Sequence, residues 1–185
     1  MFCLEHETAA DGPAVERLLD RAFGPERHAK TCQRLRDGHT PSHGLAFVVR
    51  LQEEVIATIR FWDLSIGGGH RALLLGPLAV EADHRSGGWG GKLVRYGLNQ
   101  AALRGHRAVI LVGDAPYYVK FGFSPEVTRG MMMPGPVDRA RFLGLELSPG
   151  ALAGAAGMVL PGRAPVLVPL LPAPHMVEEA RQVAA

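Results

Sequence analysis

The chain has 185 residues, of which 47% are hydrophobic and 21% are charged, and its formal net charge is +2. This length and balance suit one globular domain with a sizeable core. The charge is too small to predict nucleic-acid binding. Two cysteines, Cys3 and Cys32, give neither a disulfide framework nor a zinc-ligand spacing.

The sequence predicts neither a targeting segment nor a membrane span. The N-terminal residues MFCLEHETAAD carry acids and lack the basic segment that precedes the apolar run of a signal peptide. The most apolar region, 151–177, is interrupted by Arg163 and several prolines. Four histidines lack the spacing of metal ligands: His6, His28, His39 and His43. We therefore expect a cytoplasmic protein with no membrane partner, no nucleic-acid partner and no bound metal.

The first half of the chain alternates between short strands and helices. Asp11 can cap a helix whose apolar residues recur three and four apart until Gly24 and Pro25 end it. A tight turn at 52–54 joins two β-rich runs into a hairpin. The predicted elements of this half are strands at 1–7, 45–51, 55–63 and 72–80, and helices at 12–23 and 26–36.

A glycine-rich loop follows the strand at 72–80 and leads into an amphipathic helix. The loop contains Gly87, Gly88, Gly90 and Gly91, and apolar residues then recur three and four apart. Backbone N–H groups at the start of a helix have no partner within it, and the helix dipole adds positive charge there. Because glycine lets a ligand approach the backbone closely, this loop is suited to a phosphate or a pyrophosphate.

Two common phosphate-loop motifs do not match this loop. A Walker loop needs Ser or Thr after its Gly-Lys pair, but Leu93 stands there. The dinucleotide pattern G-x-G-x-x-G needs its third glycine at the same position. A nucleotide-binding protein is therefore disfavoured. The pattern that does match is Arg85-x-x-Gly88-x-Gly90, which begins five residues after Val80.

A second motif lies in the C-terminal half. The β-rich run 108–112 predicts a buried strand. Asp114 then begins a short helix that Gly122 closes, and the segment from Tyr118 to Phe123 reads Tyr-x-x-x-Gly-Phe, with a strand beginning at Phe123. Two further strands are predicted at 128–133 and 141–147.

The two motifs together resemble the GCN5-related N-acetyltransferases (GNATs). In that family a strand ends in V-x-P-x-x-R/Q-x-x-G-x-G/A, and a later helix contains Y-x-x-x-G-F. This chain has Ala82 where proline is usual, Ser86 where glycine is frequent, and Gly87 where a basic residue is frequent. It also has Trp89 in place of an aliphatic residue and Asp114 in place of asparagine.

The resemblance implies an α/β (α+β) GNAT fold. Its mixed, mostly antiparallel central sheet is splayed between the fourth and fifth strands and flanked by helices. The resemblance covers about residues 1–148, which we assign to a GNAT acetyltransferase domain. Residues 149–185 form an Ala/Gly/Pro-rich C-terminal extension of unknown role: an apolar flap, a dimer contact or a tail with a final helix at 175–183. Many members of the family are dimers, so a homodimer is compatible with the resemblance.

The implied activity is that of an acyl-CoA-dependent N-acyltransferase. It moves an acetyl group from acetyl-CoA to a primary amine of a small molecule or peptide by direct attack, without a metal. Main-chain groups at the strand end would hold the pantetheine arm and stabilise the thioester oxygen, and the loop would hold the pyrophosphate. The implied coenzyme-binding residues are Leu78, Ala79, Val80, Arg85, Ser86, Gly87, Gly88, Trp89, Gly90, Gly91, Asp114 and Tyr118.

Tyr118 is the implied catalytic residue. As a neutral phenol it can donate a proton to the departing thiolate. The alternative is that its ring only packs against the sheet, which is the interpretation favoured for Tyr117.

The general base is left open by the sequence. Its candidates are Glu81, His84, Asp63 and His70, although each also fits a solvated loop residue. A base contributes about 10² to 10⁴-fold, whereas orientation supplies effective molarities of about 10⁵ to 10⁸ M, so positioning is the larger effect. Two other functions stay open: use of a longer acyl donor, and coenzyme binding without catalysis by a sensor or a partner-binding module.

Overall fold

A mixed β-sheet carries the fold in the computed structural model, which describes residues 1–162. Its strands are β1 (Phe2–His6), β2 (Ala46–Leu51), β3 (Glu54–Ile66), β4 (His70–Val80), β5 (Ala108–Val112), β6 (Met131–Met132), β7 (Phe142–Glu146) and β8 (Gly157–Pro161). Its α-helices are α1 (Gly12–Phe23), α2 (Thr31–Arg34), α3 (Trp89–Leu103) and α4 (Ala115–Tyr118).

The strand order is β1-β2-β3-β4-β5-β7, with β8 beside the distal end of β3. Strands β1 to β4 pair in antiparallel fashion, β4 and β5 pair in parallel, and β7 returns antiparallel to β5. The predicted mixed, mostly antiparallel sheet with flanking helices is confirmed.

Strand β4 separates from β5 halfway along its length. The parallel ladder contains two pairs, Leu73 with Val109 and Leu74 with Ile110. Beyond them β4 stays paired with β3 as far as Val80, opposite Ala57. The predicted splay between the fourth and fifth strands is therefore confirmed, and it frees one edge of the last residues of β4.

Trp62 anchors β4 to β3 where the splay begins. Its indole Nε1–H donates to the carbonyl oxygen of Gly76 at 2.6 Å, and its side chain is buried. Gly76 has a φ of 124°, a conformation that favours glycine. The side chain is therefore a core residue.

Helices α1 and α3 pack against the sheet through two separate clusters of buried side chains. Val15, Leu18 and Leu19 of α1 form a cluster with buried residues of β2, β3 and β4. The apolar stripe of α3 joins a larger cluster that includes Phe61 of β3. Gly97 lies at this contact, because a Cβ added there would stand 2.6 Å from Cζ of Phe61. The glycine thus sets how closely α3 approaches the sheet.

Three predicted elements are shorter than expected or absent, and of the strand predicted at 128–133 only β6 (Met131–Met132) forms. In the predicted second helix, a 3₁₀ turn at Pro25–Ala29 precedes α2, because Lys30 is extended and interrupts the helical backbone. The strand predicted from Phe123 is wrong: Ser124 makes an isolated bridge to Gly144, and a 3₁₀ turn follows. Proline at position 125, which has no N–H to donate, directs the chain into that turn.

The sheet continues beyond the predicted end of the domain. Strand β8 pairs with β3 through residues Leu64 to Ile66 and with β6 in parallel. Val159 is buried in the core, so the first part of the C-terminal extension contributes to the fold. The predicted boundary after residue 148 stays a prediction, and the final helix predicted at 175–183 lies outside the described residues.

Neither a long apolar helix nor a disulfide occurs in residues 1–162. No helix in this part of the chain has the length and hydropathy to cross a membrane. Cys3 is exposed, Cys32 is partly buried, and both are free thiols.

We expect Gly97→Ala to destabilise the protein by about 1–3 kcal/mol, because the new methyl group must displace the Phe61 ring or α3. Chemical unfolding measures this change. Gly12→Ala is the matched control, since a Cβ at this helical position meets nothing within 4 Å. Alanine there should change stability by less than about 1 kcal/mol, because its higher helix propensity is offset by crowding against the following Pro13. Equal unfolding free energies for the two variants would refute the close-packing role of Gly97.

Candidate active site

A first cavity of about 560 Å³, called here the donor cavity, lies between the end of β4 and the start of α3. Predicted coenzyme-binding residues supply most of its lining, namely Leu78, Ala79, Val80, Arg85, Ser86, Gly88, Gly90 and Gly91. The remaining lining residues are Ala22, Phe23, Arg95, Tyr117 and Lys120. The structure thus brings the strand end and the glycine loop together in one concave surface.

The glycine loop leads into α3 through a tight turn. A 3₁₀ turn ends at Gly87, and Gly88 adopts a left-handed conformation with a φ of 70°. The N–H of Lys92 donates to the carbonyl of Gly88 at 3.1 Å, which begins the helical bonding. The N–H groups of the first helical turn therefore have no partner within α3, and they lie beside the donor cavity.

Gly90 lies against a tyrosine from another part of the chain. A Cβ added at Gly90 would stand 2.8 Å from the hydroxyl oxygen of Tyr117. Glycine at this position therefore allows α4 to approach the start of α3, in addition to exposing the backbone.

Two predicted loop residues do not line the donor cavity. The ring of Trp89 lies 5.0 Å from that of Phe2, and Lys92 Nζ stands 4.0 Å from the ring centroid of Trp89. Gly87 lies next to the Trp89 ring. Arg85 does line the cavity and is exposed, with its Nε donating to the carbonyl of Val80 at 3.3 Å.

Sequence reasoning missed two cations of the donor cavity, Arg95 and Lys120. Arg95 follows Gly91 by four residues, so both lie on one face of α3. Lys120 Nζ stands 3.9 Å from the ring centroid of Tyr117. Together with Arg85 these side chains give the cavity a positive lining, although the loop has Gly87 where relatives often have a basic residue. The spacing of Arg95 from Gly91 was the available sequence signal.

A second cavity of about 650 Å³, called here the acceptor cavity, adjoins the first. The two cavities share Phe23, Leu78 and Tyr117 in their linings. Residues from the α2 region, the splayed part of β4, the start of α4 and the segment 136–141 surround it. Leu78 therefore lies where the two cavities meet, on the free edge of β4.

Tyr118 lines the acceptor cavity and also packs against the protein interior. Its ring makes edge contacts with Tyr117 at 5.0 Å and with Phe123 at 5.8 Å, measured between centroids. Burial raises the pKa of the Tyr118 phenol, and the neighbouring Tyr117 and Asp114 raise it further. The phenol therefore stays protonated at neutral pH and is available as a donor. Tyr117, for which packing was favoured, lines both cavities.

The four candidate general bases do not line either cavity. Glu81 is instead paired with Arg21. Within the described part of the chain, the carboxylates that line the acceptor cavity are those of Asp114 and Asp138. Asp138 accepts a hydrogen bond from the N–H of Ala140 at 2.9 Å. The side chain of Asp114 makes no capping hydrogen bond to α4, so its oxygens can face the cavity.

Comparison with known proteins identifies the family. Residues 42–125 match the family model described as an acetyltransferase (GNAT) domain. The N-acetyltransferase YhbS of Escherichia coli K12, itself described as uncharacterized, is 29% identical over 154 residues, which cover 83% of this chain and 92% of YhbS. Residues 42–125 therefore match a GNAT acetyltransferase domain, and most of the chain is similar in sequence to a GNAT relative. The resemblance drawn from the two motifs is confirmed.

Solved GNAT structures have the same architecture. The crystal structure of E. coli YhbS in complex with CoA has a TM-score of 0.74 and 27% identity, covering 87% of this chain and 89% of that one. A Brucella melitensis GNAT acetyltransferase in complex with acetyl-CoA has a TM-score of 0.63 and 25% identity, covering 80% and 90%.

The raised pKa of Tyr118 predicts a loss of stability in alkaline solution. A free tyrosine ionises near pH 10, so above this pH the unfolded chain loses a proton that the folded chain keeps. The unfolded state then binds fewer protons, and the free energy of unfolding falls as pH rises, by up to about 1.4 kcal/mol per pH unit from this group. Well below pH 10 both states hold the proton and Tyr118 contributes no pH dependence.

We expect the difference in unfolding free energy between pH 8 and pH 10.5 to be smaller in Tyr118→Phe than in the wild type. Burial also raises the pKa of Tyr117, but that contribution is present in both proteins and cancels. Urea unfolding at the two pH values measures the difference. An identical decrease in both proteins would show that the Tyr118 phenol is not held in its neutral form by the fold.

Proposed function

We propose that this protein transfers an acetyl group from acetyl-CoA to a primary amine of a small molecule or peptide. The observation that carries the proposal is the junction of the donor and acceptor cavities at Leu78, on the free edge of the splayed strand β4. A thioester held at this junction would be reached from the acceptor cavity. The CoA and acetyl-CoA complexes of the two structural relatives support the choice of donor.

The donor cavity suits the pyrophosphate of CoA. The free N–H groups at the start of α3 can donate to phosphate oxygens, and the helix dipole favours their charge. Arg85, Arg95 and Lys120 add positive charge around this helix start. The backbone of the Arg85–Gly91 loop, rather than any single side chain, is the proposed main contact.

The chemistry needs few specialised groups. The amine nitrogen attacks the thioester carbonyl carbon, the carbon–sulfur bond breaks, and main-chain N–H groups near Leu78 stabilise the developing oxyanion. The Tyr118 hydroxyl donates its proton to the departing thiolate, and the proton that the nitrogen loses as the amide forms passes through water to restore the phenol. An amine with a pKa of about 10.4 is mostly protonated at pH 7, and removing that proton costs about 4.6 kcal/mol. Asp114 lines the acceptor cavity and is the proposed carboxylate for receiving this proton, directly or through water.

Two measurements separate this proposal from its alternatives. Thermal shift with acetyl-CoA, CoA, ATP and NAD identifies the ligand class, and free-thiol release across a panel of amines reports turnover. Stabilisation by acetyl-CoA together with amine-dependent thiol release is the expected result. Stabilisation by acetyl-CoA without turnover of any amine would instead favour a coenzyme-binding sensor.

Gly90→Asp should abolish CoA binding. The carboxylate adds negative charge at the proposed pyrophosphate site, and its Cβ collides with the Tyr117 hydroxyl. Isothermal titration calorimetry with CoA measures the loss. Gly12→Asp adds the same charge at another helix start, where a Cβ meets nothing within 4 Å, and it should bind CoA as the wild type does. Normal CoA binding by a folded Gly90→Asp variant would contradict the loop assignment.

Tyr118→Phe should lower kcat by about 10²-fold, as expected for loss of a general acid, while the KM for acetyl-CoA changes little. Steady-state thiol release with the best amine of the panel gives both constants. Tyr96→Phe is the matched control, because Tyr96 packs edge-on against Phe47 at 5.0 Å and lines neither cavity. An unaltered kcat in Tyr118→Phe would remove this residue from the mechanism.

A further inference from the structure

The acceptor cavity contains an arginine that has no ion-paired carboxylate among residues 1–162. Arg36 lines this cavity and is partly buried. Its Nε donates to the carbonyl of Cys32 at 3.1 Å, and no carboxylate of residues 1–162 lies within ion-pair distance of its guanidinium. A guanidinium carries several N–H donors in a planar fork, so most of them remain available to a ligand.

The groups around Arg36 only partly offset its charge. Burial disfavours the charged form of Arg36 and lowers its pKa, and Arg27 and Arg60 lower it further, whereas Cys32 and the neighbouring Asp37 act in the opposite direction. The Cys32 thiol does not serve as a counter-ion, because burial raises its pKa and keeps it neutral.

Arg27 and Arg60 themselves are already neutralised by neighbouring carboxylates. Arg27 is paired with Glu16 at 2.6 Å and with Asp20 at 2.7 Å. Arg60 is paired with Glu7 at 2.6 Å and also with Glu16 at 2.9 Å. These three acids are therefore engaged, and Asp37, which follows Arg36, accepts a hydrogen bond from Gln33 at 2.6 Å and is not within ion-pair distance of Arg36. Among residues 1–162, Arg36 thus has no ion-paired carboxylate.

The remaining charges of the cavity are exposed and lie in different places. Asp114 lies beside the proposed proton donor, because the N–H of Tyr118 donates to its backbone carbonyl at 3.1 Å and both residues line the cavity. Neither Asp114 nor Asp138 affects Arg36 appreciably. Lys30 and Arg141 also line the cavity and have no carboxylate partner among the described residues, but both are exposed, where water screens their charge. The cavity thus has an acidic group near Tyr118 and a partly buried cation at α2.

We infer that the acceptor is a small amine that also carries a carboxylate, with the amine near Asp114 and Tyr118 and the carboxylate bound by Arg36. This inference rests on the proposed function and names its substrate class. A carboxylate matches the planar fork of a guanidinium and restores the missing counter-charge. The cavity volume of about 650 Å³ is typical of a small-molecule pocket, so an amino acid or a short peptide would fit inside it.

Matched acceptor pairs test the inference. Amino acids and short ω-amino acids are compared with their carboxamides, which keep the amine and remove the negative charge. The wild type should prefer the carboxylate by at least about tenfold in kcat/KM, the size expected for one charge-assisted hydrogen-bonded pair. Arg36→Gln should remove this preference by raising KM for the carboxylate while leaving the carboxamide nearly unchanged. Arg36→Lys should restore part of it.

Arg34→Gln is the matched control. Arg34 is the last residue of α2, two positions before Arg36, and it also donates to a backbone carbonyl, that of Pro134 at 2.8 Å, but it does not line the acceptor cavity. Its loss should leave the preference intact. If Arg36→Gln lowered kcat/KM equally for both members of each pair, Arg36 would be a structural residue and the inference would be overturned. A wild-type preference for carboxamides, or for phosphoethanolamine over every carboxylate, would overturn it as well.

Direct binding keeps this test separate from the test of the proposed function. Calorimetry of the carboxylate and carboxamide acceptors, in the presence of CoA, is run on the wild type and on Arg36→Gln. Carboxylate binding that depends on Arg36 without turnover would support the inference while removing the proposed activity. Turnover of neutral amines alone would support the activity and remove the inference. Failure of the carboxylates to bind the wild type would also remove the inference.

Discussion

The early end of the β4–β5 ladder is the constraint on which the site depends. Parallel pairing stops after Leu74, while β4 remains bonded to β3 as far as Val80. The backbone groups on the other edge of β4 must then find partners in water or in a ligand, because unsatisfied buried N–H and carbonyl groups are costly. Since the same divergence opens the space on either side of Leu78, both the donor and the acceptor cavities result from it. A fully paired β4–β5 ladder would leave neither the free edge nor the room for a thioester.

Tyr117 connects the two halves of the site. Its hydroxyl lies next to Gly90 at the start of α3, and its ring lines both cavities. Lys120 lies over the same ring, one helical turn further along. The glycine loop and the α4 region therefore fit together as one unit, in which a small residue on one side allows a tyrosine from the other. This mutual fit gives Gly90 a second role, in addition to the backbone exposure that its position in the loop predicts.

Local signals explain what could be predicted from the sequence. The strand, glycine loop and amphipathic helix around Gly88 were predictable because each has its own short-range pattern. The splay between β4 and β5 was predicted from the family resemblance. The pairing of β8 with β3 could not be predicted, since it joins residues nearly a hundred positions apart and no local pattern indicates it. The strand predicted from Phe123 does not form, because Pro125 begins a turn. The proline was a local signal for that turn, but the prediction followed the motif instead. The candidate bases do not reach the cavities, because closeness in sequence to the loop (Glu81 and His84) or a place at a strand end or in a link (Asp63 and His70) does not determine which side chains meet in space. Asp114 is instead brought in by β5 and α4.

The distribution of charge explains why Arg36 stands out. Arg60 and Glu7 are almost buried, with side-chain exposures of 11% and 10%, and their pairing joins the start of the chain to β3. Such a pair is tolerated because each charge satisfies the other, whereas a desolvated charge without a partner is costly. Arg36 is partly desolvated beside this network and receives no share of its carboxylates. Replacing it by a neutral residue would relieve that cost in the free protein, whereas the carboxylate ligand that we propose would supply the charge that Arg36 lacks.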